Sequence, residues 1–348
     1  MSRYPKINNY VPTSRCGIRM NGKGSVIKAY LKVCRYEYFP AELTALFIPI
    51  LLTADSLARF TDLAVFEGVV TFVILYLSGF LINAWTDREI DAKYQNFKSS
   101  IAWGVRRLGE RGLKSAIAVH LSVSILLGLH ISYLMESFIP IIIILVGIFF
   151  GFGYSIKPLT FKTRGVAFHM ISLSLCCFFI PLVFLFYVLS DGFLIDQIVF
   201  ASGFAMVHYA LEVGNQIQDY EEDLKESMLT PTVRLGLTRS LVLALMSFTL
   251  GLPIMVGVLY YWFHARDIIH HFPPFLNGTM TILLISAMLG LGYSITFMGL
   301  YRMYRETRTT DGIPVMMRRV RSHINYALWQ MMGITGLFFI SLVFFISE

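Results

Sequence analysis

Two acidic motifs of identical spacing are the part of this sequence best suited to chemistry. Each has an asparagine and two aspartates at intervals of four residues: Asn83, Asp87 and Asp91 in the first, Asn215, Asp219 and Asp223 in the second. The second copy is displaced by 132 residues, the difference between positions 219 and 87. Residues four apart lie on one face of a helix, about 6 Å from each other. Each motif is therefore expected to form a polar stripe.

The spacing of the aspartates favours a bound metal ion. Neighbouring carboxylates repel one another unless a cation lies between them. Oxygen ligands suit Mg²⁺, which keeps several waters and takes one or two carboxylates together with phosphate oxygens. The lack of a nearby His or Cys argues against zinc. Helix capping or solvated salt bridges are the alternative, which two copies at the ends of predicted spans make less attractive. The metal candidates are Asp87, Asp91, Asp219 and Asp223.

A substrate chamber is predicted beside the two stripes. His208 and Glu212 share the helical direction of Asp219, and the corresponding positions in the first copy are Tyr76 and Phe80. Aromatic faces stabilise a carbocation, and His or Glu accepts a proton. The alternatives are packing between helices for the aromatic pair and a mutual hydrogen bond for His208 and Glu212.

A third element follows the fourth predicted span. It extends from Gly153 to Arg164 and contains Tyr154, Lys157 and Lys162. Its positive charge would neutralise a metal-bound diphosphate and stabilise the leaving group. Membrane topology alone would also place basic residues here, so the basic charge by itself is not specific.

The composition predicts that membrane-spanning helices position these residues. Of 348 residues 56% are hydrophobic and 15% charged, and the mean hydropathy is +0.64, which excludes a soluble globular enzyme and a disordered chain. Runs of about 20 apolar residues predict an all-α polytopic protein with nine transmembrane helices around a central cavity. The spans are 39–58, 66–86, 114–135, 138–157, 168–189, 195–217, 238–262, 276–300 and 324–346.

The basic residues predict the orientation in the membrane. All but two of the 29 Lys and Arg residues fall on one side of the predicted topology; the exceptions are Arg59 and Arg266. The N-terminus and the acidic motifs are therefore expected to be cytoplasmic. Because topology accounts for most of the net charge of +7, no nucleic-acid partner is expected.

The remaining features predict one domain. Residues 1–25 are polar and expected to be partly disordered, and residues 26–348 form a single transmembrane domain. Lys28, Lys32 and Arg35 have the spacing of a short interfacial helix. No removable signal peptide is apparent. Four cysteines are interpreted as free thiols: Cys16, Cys34, Cys176 and Cys177.

Together these motifs resemble the UbiA superfamily of intramembrane prenyltransferases. The resemblance covers nine predicted spans, the acidic motifs after spans two and six, and a YSxxPxxxK element after span four. The second motif continues through Lys225 and Thr230 to the segment 233–236 (VRLG), which is similar to the quinone-prenylating branch.

The resemblance implies a cavity that is capped on the cytoplasmic side and open laterally to lipid. Mg²⁺ held by the aspartates would bind an isoprenyl diphosphate, and a lipid-soluble acceptor would attack the allylic cation formed on its ionisation. Asn83 and Asn215 would bind the diphosphate, Tyr154 and Lys162 would lie near it, and Lys225 is a further candidate.

The sequence departs from the family pattern at three places. Ala84 stands where many members have Asp, Ser227 replaces the commoner Gly, and the segment 98–103 (KSSIAW) stands where members often have Arg-Pro. The candidates to replace that arginine are Lys98, Arg106 and Arg107.

The favoured hypothesis is a Mg²⁺-dependent prenyltransferase that acts on a prenyl diphosphate and a hydrophobic, aromatic or quinone-like acceptor in the bilayer. A terpene cyclase of the same superfamily would use the same metal ions, but the substrate's own double bonds would trap the cation. A cation-coupled transporter is the alternative from another class, disfavoured because the acids lie at span ends rather than at the midplane. The oligomeric state stays open.

Overall fold

The computed structural model describes residues 25–36, 61–92, 98–265 and 294–309. The predicted spans 39–58 and 324–346 lie outside these residues, as do most of 276–300 and nearly all of 1–25. The prediction of a disordered N-terminal segment and the count of nine spans therefore stay predictions.

The described residues are almost entirely helical, and no strand occurs among them. The helices are α1 (Val26–Val33), α2 (Leu63–Asp91), α3 (Lys98–Leu134), α4 (Ile139–Ser155), α5 (Phe161–Arg164), α6 (Val166–Leu173), α7 (Ile180–Ser190), α8 (Ile195–Gln216), α9 (Tyr220–Lys225), α10 (Pro231–Leu235), α11 (Leu237–Ala265) and α12 (294–306). A π-helical segment, Ser174–Phe179, joins α6 to α7 in one continuous rod. The predicted all-α class is confirmed for these residues.

Within the described ranges, four helical segments are long and apolar enough to cross a membrane: Leu63–Asp91, Ser100–Leu134, Val166–Ser190 and Leu237–Trp262. They correspond to the second, third, fifth and seventh predicted spans. The shorter apolar helix α4 and the 22-residue α8 lie at the fourth and sixth. This is an integral membrane protein.

Gly109 divides α3 into two parts. Its φ of +70° lies in the left-handed region, which a residue without Cβ adopts at little cost. The polar N-terminal part of α3 therefore turns away from the apolar part, which ends at Leu134. The kink allows the two parts of α3 to run in different directions, so that only the apolar part crosses the membrane.

Helix α1 packs against α3 through Gly104. A Cβ on this glycine would lie 2.8 Å from the carbonyl oxygen of Ala29 and 2.8 Å from Val33 Cγ2, so only glycine permits the observed approach. Tyr30 Oη lies 2.8 Å from His120 Nε2 and fixes the same contact. The short helix predicted near the N-terminus is present, and its outer face exposes Ile27.

The tightest helix pair is α8 with α11. A Cβ on Gly203 would lie 2.8 Å from the carbonyl oxygen of Gly251, so the two backbones touch. Large aromatic side chains also pack between the two helices: the ring centroids of Phe200 on α8 and Trp262 on α11 are 5.1 Å apart. This contact holds the helix that carries the second acidic motif.

Candidate active site

A cavity of about 240 Å³ lies between α2, α4, the π-helical segment, α7 and α8. Most of its wall is apolar, as is usual for sites that bind small hydrophobic molecules. Six of the predicted site residues lie in this wall: Tyr76, Phe80, Asn83, Tyr154, Glu212 and Asn215. The fold thus brings residues from both acidic motifs and from the element after α4 to one place.

Aromatic rings form the α2 side of the cavity. Phe72, Tyr76 and Phe80 follow each other at four-residue intervals, with ring centroids 6.1 Å and then 5.1 Å apart. All three also line the cavity. The aromatic wall predicted from the sequence is present at the predicted positions.

The first acidic motif lies on the uninterrupted C-terminal half of α2, as predicted. Ser155 Oγ donates a hydrogen bond to Asn83 Oδ1 over 3.2 Å, and Lys162 forms an ion pair with Asp87. Both side chains of the pair are largely buried, with 10% of Lys162 and 18% of Asp87 exposed. The element after α4 therefore contacts the first motif directly, through one hydrogen bond and one ion pair.

The predicted continuous stripe is wrong for the second motif. Helix α8 ends at Gln216, a 3₁₀ turn covers Ile217–Asp219, and a new helix begins at Tyr220. Four carboxylates fall within five residues here: Asp219, Glu221, Glu222 and Asp223. Starting a new helix places three of them in its first turn, where the helix dipole stabilises negative charge.

The last aspartate of each motif is buried. Asp91 and Asp223 are 3% and 5% exposed, and Thr230 Oγ1 donates a hydrogen bond to Asp223 Oδ2 over 3.1 Å. Lys225 is exposed at the end of α9, away from the cavity wall. The loop after α9 therefore holds the Asp223 carboxylate by a hydrogen bond, whereas the Lys225 side chain is exposed.

The chamber residues of α8 have different environments. Asn215 Nδ2 donates to both carboxylate oxygens of Glu212 over 3.4 Å, within the cavity wall. His208 lies outside this wall: its Nδ1 donates to the Phe204 carbonyl oxygen over 2.9 Å, and its ring stacks on the Phe204 ring at 3.7 Å. His208 is therefore packed against Phe204 outside the wall, whereas Glu212 lies in the wall, where it can meet a ligand.

A buried histidine that the sequence analysis missed joins two parts of the site. His169 Nε2 lies 3.0 Å from Tyr154 Oη and 2.9 Å from Gln216 Nε2, and the residue is 1% exposed. Gln216 directly follows Asn215 of the second motif, and this adjacency is the one sequence signal that involves a partner of His169. No pattern in the sequence singled out His169.

The structure places Arg35 outside the helix that the sequence predicts for it. It was assigned to the interfacial helix with Lys28 and Lys32, but α1 ends at Val33 and Arg35 has a φ of +51°. This turn directs its guanidinium over the Phe80 ring, 5.2 Å from the centroid, at the cavity wall. Arg35 therefore brings a cation to the cavity wall.

The basic residues around the loops have structural partners. Arg164 Nη2 donates to the Pro158 carbonyl oxygen over 2.5 Å, so it stabilises its own loop. Arg234 Nη2 donates to the Thr163 carbonyl oxygen over 2.8 Å and joins the loops after α4 and α9. Lys157 is exposed. Of the three cations predicted in this element, Lys162 is the one that reaches an acidic motif.

The donor set fits Mg²⁺ bound together with a diphosphate. Among the residues that the structure describes, no three His, Cys, Asp or Glu side chains are close enough to enclose an ion. Mg²⁺ does not need such a cage, because it keeps waters and takes one or two carboxylates plus phosphate oxygens. The candidate carboxylate ligands are Asp87, Asp91, Asp219 and Asp223. Lys162 already balances the charge of Asp87 through their ion pair.

Solved structures share this fold. The chain resembles a UbiA homolog from Archaeoglobus fulgidus bound to DMAPP and Mg²⁺, and the same homolog bound to GPP and Mg²⁺, each with a TM-score of 0.56 and 19% sequence identity. Both matches cover 89% of this chain and 99% of the other. A structure of the homolog bound to Cd²⁺ matches with a TM-score of 0.54 and 15% identity, over 86% and 98% of the two chains.

Comparison of the sequence with curated proteins finds no match. A family profile does match: it covers residues 43–269, which include both acidic motifs and the element after α4. This is well over half of the chain. The protein belongs to the UbiA prenyltransferase family.

Proposed function

We propose that this protein transfers an isoprenyl chain from a prenyl diphosphate to a hydrophobic, aromatic or quinone-like acceptor, with Mg²⁺ as cofactor. The observation that carries the proposal is the shared cavity: Asn83 and Asn215 from the two motifs and the aromatic ring of Tyr76 lie in one wall. The Archaeoglobus fulgidus homolog bound to DMAPP or GPP with Mg²⁺ supports the same class of ligand here.

The polar end of the cavity would bind the diphosphate. The four aspartates would hold Mg²⁺, which neutralises the diphosphate oxygens and favours cleavage of the allylic C–O bond. Asn83 and Asn215 offer amide N–H groups to the same oxygens. Lys162, held at the first motif by Asp87, brings a positive charge for the leaving diphosphate.

The apolar part of the cavity would receive the isoprenyl chain. When the C–O bond breaks, its electron pair leaves with the diphosphate and the chain becomes an allylic cation. The faces of Tyr76 and Phe80 stabilise that cation, and the apolar wall excludes water. The acceptor forms the new bond to carbon and loses a proton, which Glu212 is placed to accept.

The requirement for an acceptor distinguishes prenyl transfer from cyclisation. Purified protein is incubated with Mg²⁺ and labelled prenyl diphosphates of several lengths, with and without a lipid extract. Turnover that requires the extract and yields a labelled lipid is expected. Labelled cyclic hydrocarbons or alcohols formed without the extract would identify a cyclase of the same superfamily instead.

The aspartates provide the direct test of the metal site. Asp87→Asn and Asp219→Asn are each expected to lower Mg²⁺-dependent diphosphate release by at least about 100-fold, or about 2.7 kcal/mol, because each removes a charged ligand. The matched control is Glu89→Gln, which removes a carboxylate that is 84% exposed on the same helix. Full Mg²⁺-dependent turnover in either Asp variant would show that the metal assignment is wrong.

A further inference from the structure

Two neighbouring cysteines line the cavity, and prenyl transfer gives them no role. Cys176 and Cys177 belong to the π-helical segment, and both are partly exposed to the cavity. Their Sγ atoms are 3.5 Å apart. Adjacent residues of a regular α-helix point about 100° apart, so this convergence is a property of the local structure.

The pair is unsuited to a disulfide. The Cα atoms of adjacent residues joined by a trans peptide are about 3.8 Å apart, whereas disulfides need about 4.4–6.8 Å. The peptide between Cys176 and Cys177 is trans, since the one cis bond among the described residues precedes Pro158. Neither cysteine forms a disulfide with another described residue. The pair is therefore expected to stay reduced when other thiol pairs oxidise.

A single bridging atom suits the same geometry. Two thiolates on a tetrahedral metal with bonds of about 2.3 Å lie about 3.8 Å apart, within a few tenths of an ångström of the observed separation. Zinc would require four ligands. In the described part of the chain no third His, Cys, Asp or Glu joins the pair to make such a group. The geometry therefore favours a centre that needs only two protein sulfurs.

We propose that Cys176 and Cys177 form a dithiol site in the cavity wall that binds trivalent arsenicals carrying one organic group. Such an arsenic centre has one position filled by carbon and two available for sulfur. With an arsenoxide, two S–H bonds and the arsenic–oxygen bond break, and two As–S bonds form. The two protons and the oxygen leave as one water, and arsenic stays trivalent. The bound organic group then occupies cavity space beside Tyr154.

The test uses the full-length protein in detergent, reduced with a phosphine, and phenylarsine oxide as the probe. Intact mass spectrometry should show one phenylarsenic adduct per chain that survives excess monothiol and is removed by a dithiol. Cys176→Ser and Cys177→Ser should each weaken binding at least about tenfold, because one sulfur cannot chelate. The adduct is measured without turnover, so the result is independent of the proposed prenyl transfer.

Cys34 is the matched control. It is 1% exposed, and burial raises the pKa of its thiol to about 11, so it is a poor nucleophile at neutral pH. Cys34→Ala and Cys16→Ala should keep the adduct. Wild-type affinity in either serine variant, or no adduct on the wild-type protein, would overturn the proposal. Cys176→Ala, checked by thermal unfolding, guards against a folding defect of the serine variant.

Discussion

His169 shows how one buried side chain sets the hydrogen bonding of the site. Its Nε2 lies within hydrogen-bond distance of Tyr154 Oη and Gln216 Nε2, whereas its buried Nδ1 and Gln216 Oε1 have no hydrogen-bond partner in the described part of the chain. The single lone pair of a neutral Nε2 accepts a hydrogen bond from the Tyr154 hydroxyl, and the Gln216 amide lies beside the same nitrogen. Tyr154 is also part of the cavity wall. We infer that His169 is a positioning residue for Tyr154.

This arrangement predicts the effect of removing the acceptor. His169→Phe should lower kcat about tenfold and leave KM for the prenyl diphosphate within about twofold, because it leaves the Tyr154 hydroxyl without its acceptor. His169→Gln, whose Oε1 replaces Nε2, should restore most of the rate. Steady-state kinetics of diphosphate release check both variants.

Coupling with Tyr154 separates positioning from a general packing defect. The double variant His169→Phe, Tyr154→Phe should be no slower than Tyr154→Phe alone, since the two side chains act as one unit. Losses that multiply in the double variant would contradict the positioning role.

At the scale of elements, the two acidic motifs differ in structure although they match in spacing. The first lies within α2, whereas the second spans the end of α8, a 3₁₀ turn and the start of α9. The loop beyond α9 also contains Ser227, whose φ of +56° is a conformation that favours glycine. Glycine, which the resemblance implies at this position, would adopt the same conformation at less cost.

The contact between α8 and α11 predicts a stability change. In Gly203→Ala the new Cβ would lie 2.8 Å from the Gly251 oxygen and 2.9 Å from the Met255 nitrogen, both backbone atoms that cannot rotate away. We expect a loss of about 1–3 kcal/mol in the free energy of unfolding. Gly257→Ala, on α11 with no atom within 4 Å of the new Cβ, is the matched control. Denaturation in detergent measures both; equal stability of the two variants would contradict the close helix contact.

At the scale of the whole molecule, successive helices place the loops at alternate ends of the bundle. The loops after α4 and α8 lie at the end that carries the acidic motifs, and those after α3 and α7 lie at the other. The excess of Lys and Arg in the first group predicts that this end is cytoplasmic. Sidedness is accessible to labelling because each loop has an exposed residue.

Four single-cysteine variants, in a background in which the native cysteines are replaced by Ser, test this topology. In sealed vesicles of known orientation, Lys157→Cys and Lys225→Cys should react with an impermeant maleimide from the cytoplasmic side. Glu136→Cys and Asp191→Cys should react from the opposite side; all four wild-type residues are exposed. Lys157→Cys and Lys225→Cys reacting from different sides would contradict the proposed arrangement.

The sequence by itself determined the all-helical membrane class and the residues that belong together. Hydropathy depends on composition over about 20 residues, and a spacing of four defines a helix face whatever surrounds it. Asn83, Asn215, Tyr76 and Phe80 could therefore be predicted to share a chamber, and they line one cavity. The resemblance to known family members added Tyr154, which lines it too.

Only the tertiary structure decided which polar side chains pair. Lys162 meets Asp87 from 75 positions away, and His169 meets Gln216 from 47. Arg35 enters the cavity wall because the chain turns at a positive φ after α1. Such contacts depend on how helices cross and where a helix breaks, as α8 does at Gln216. A local spacing contains no information about a partner on another helix.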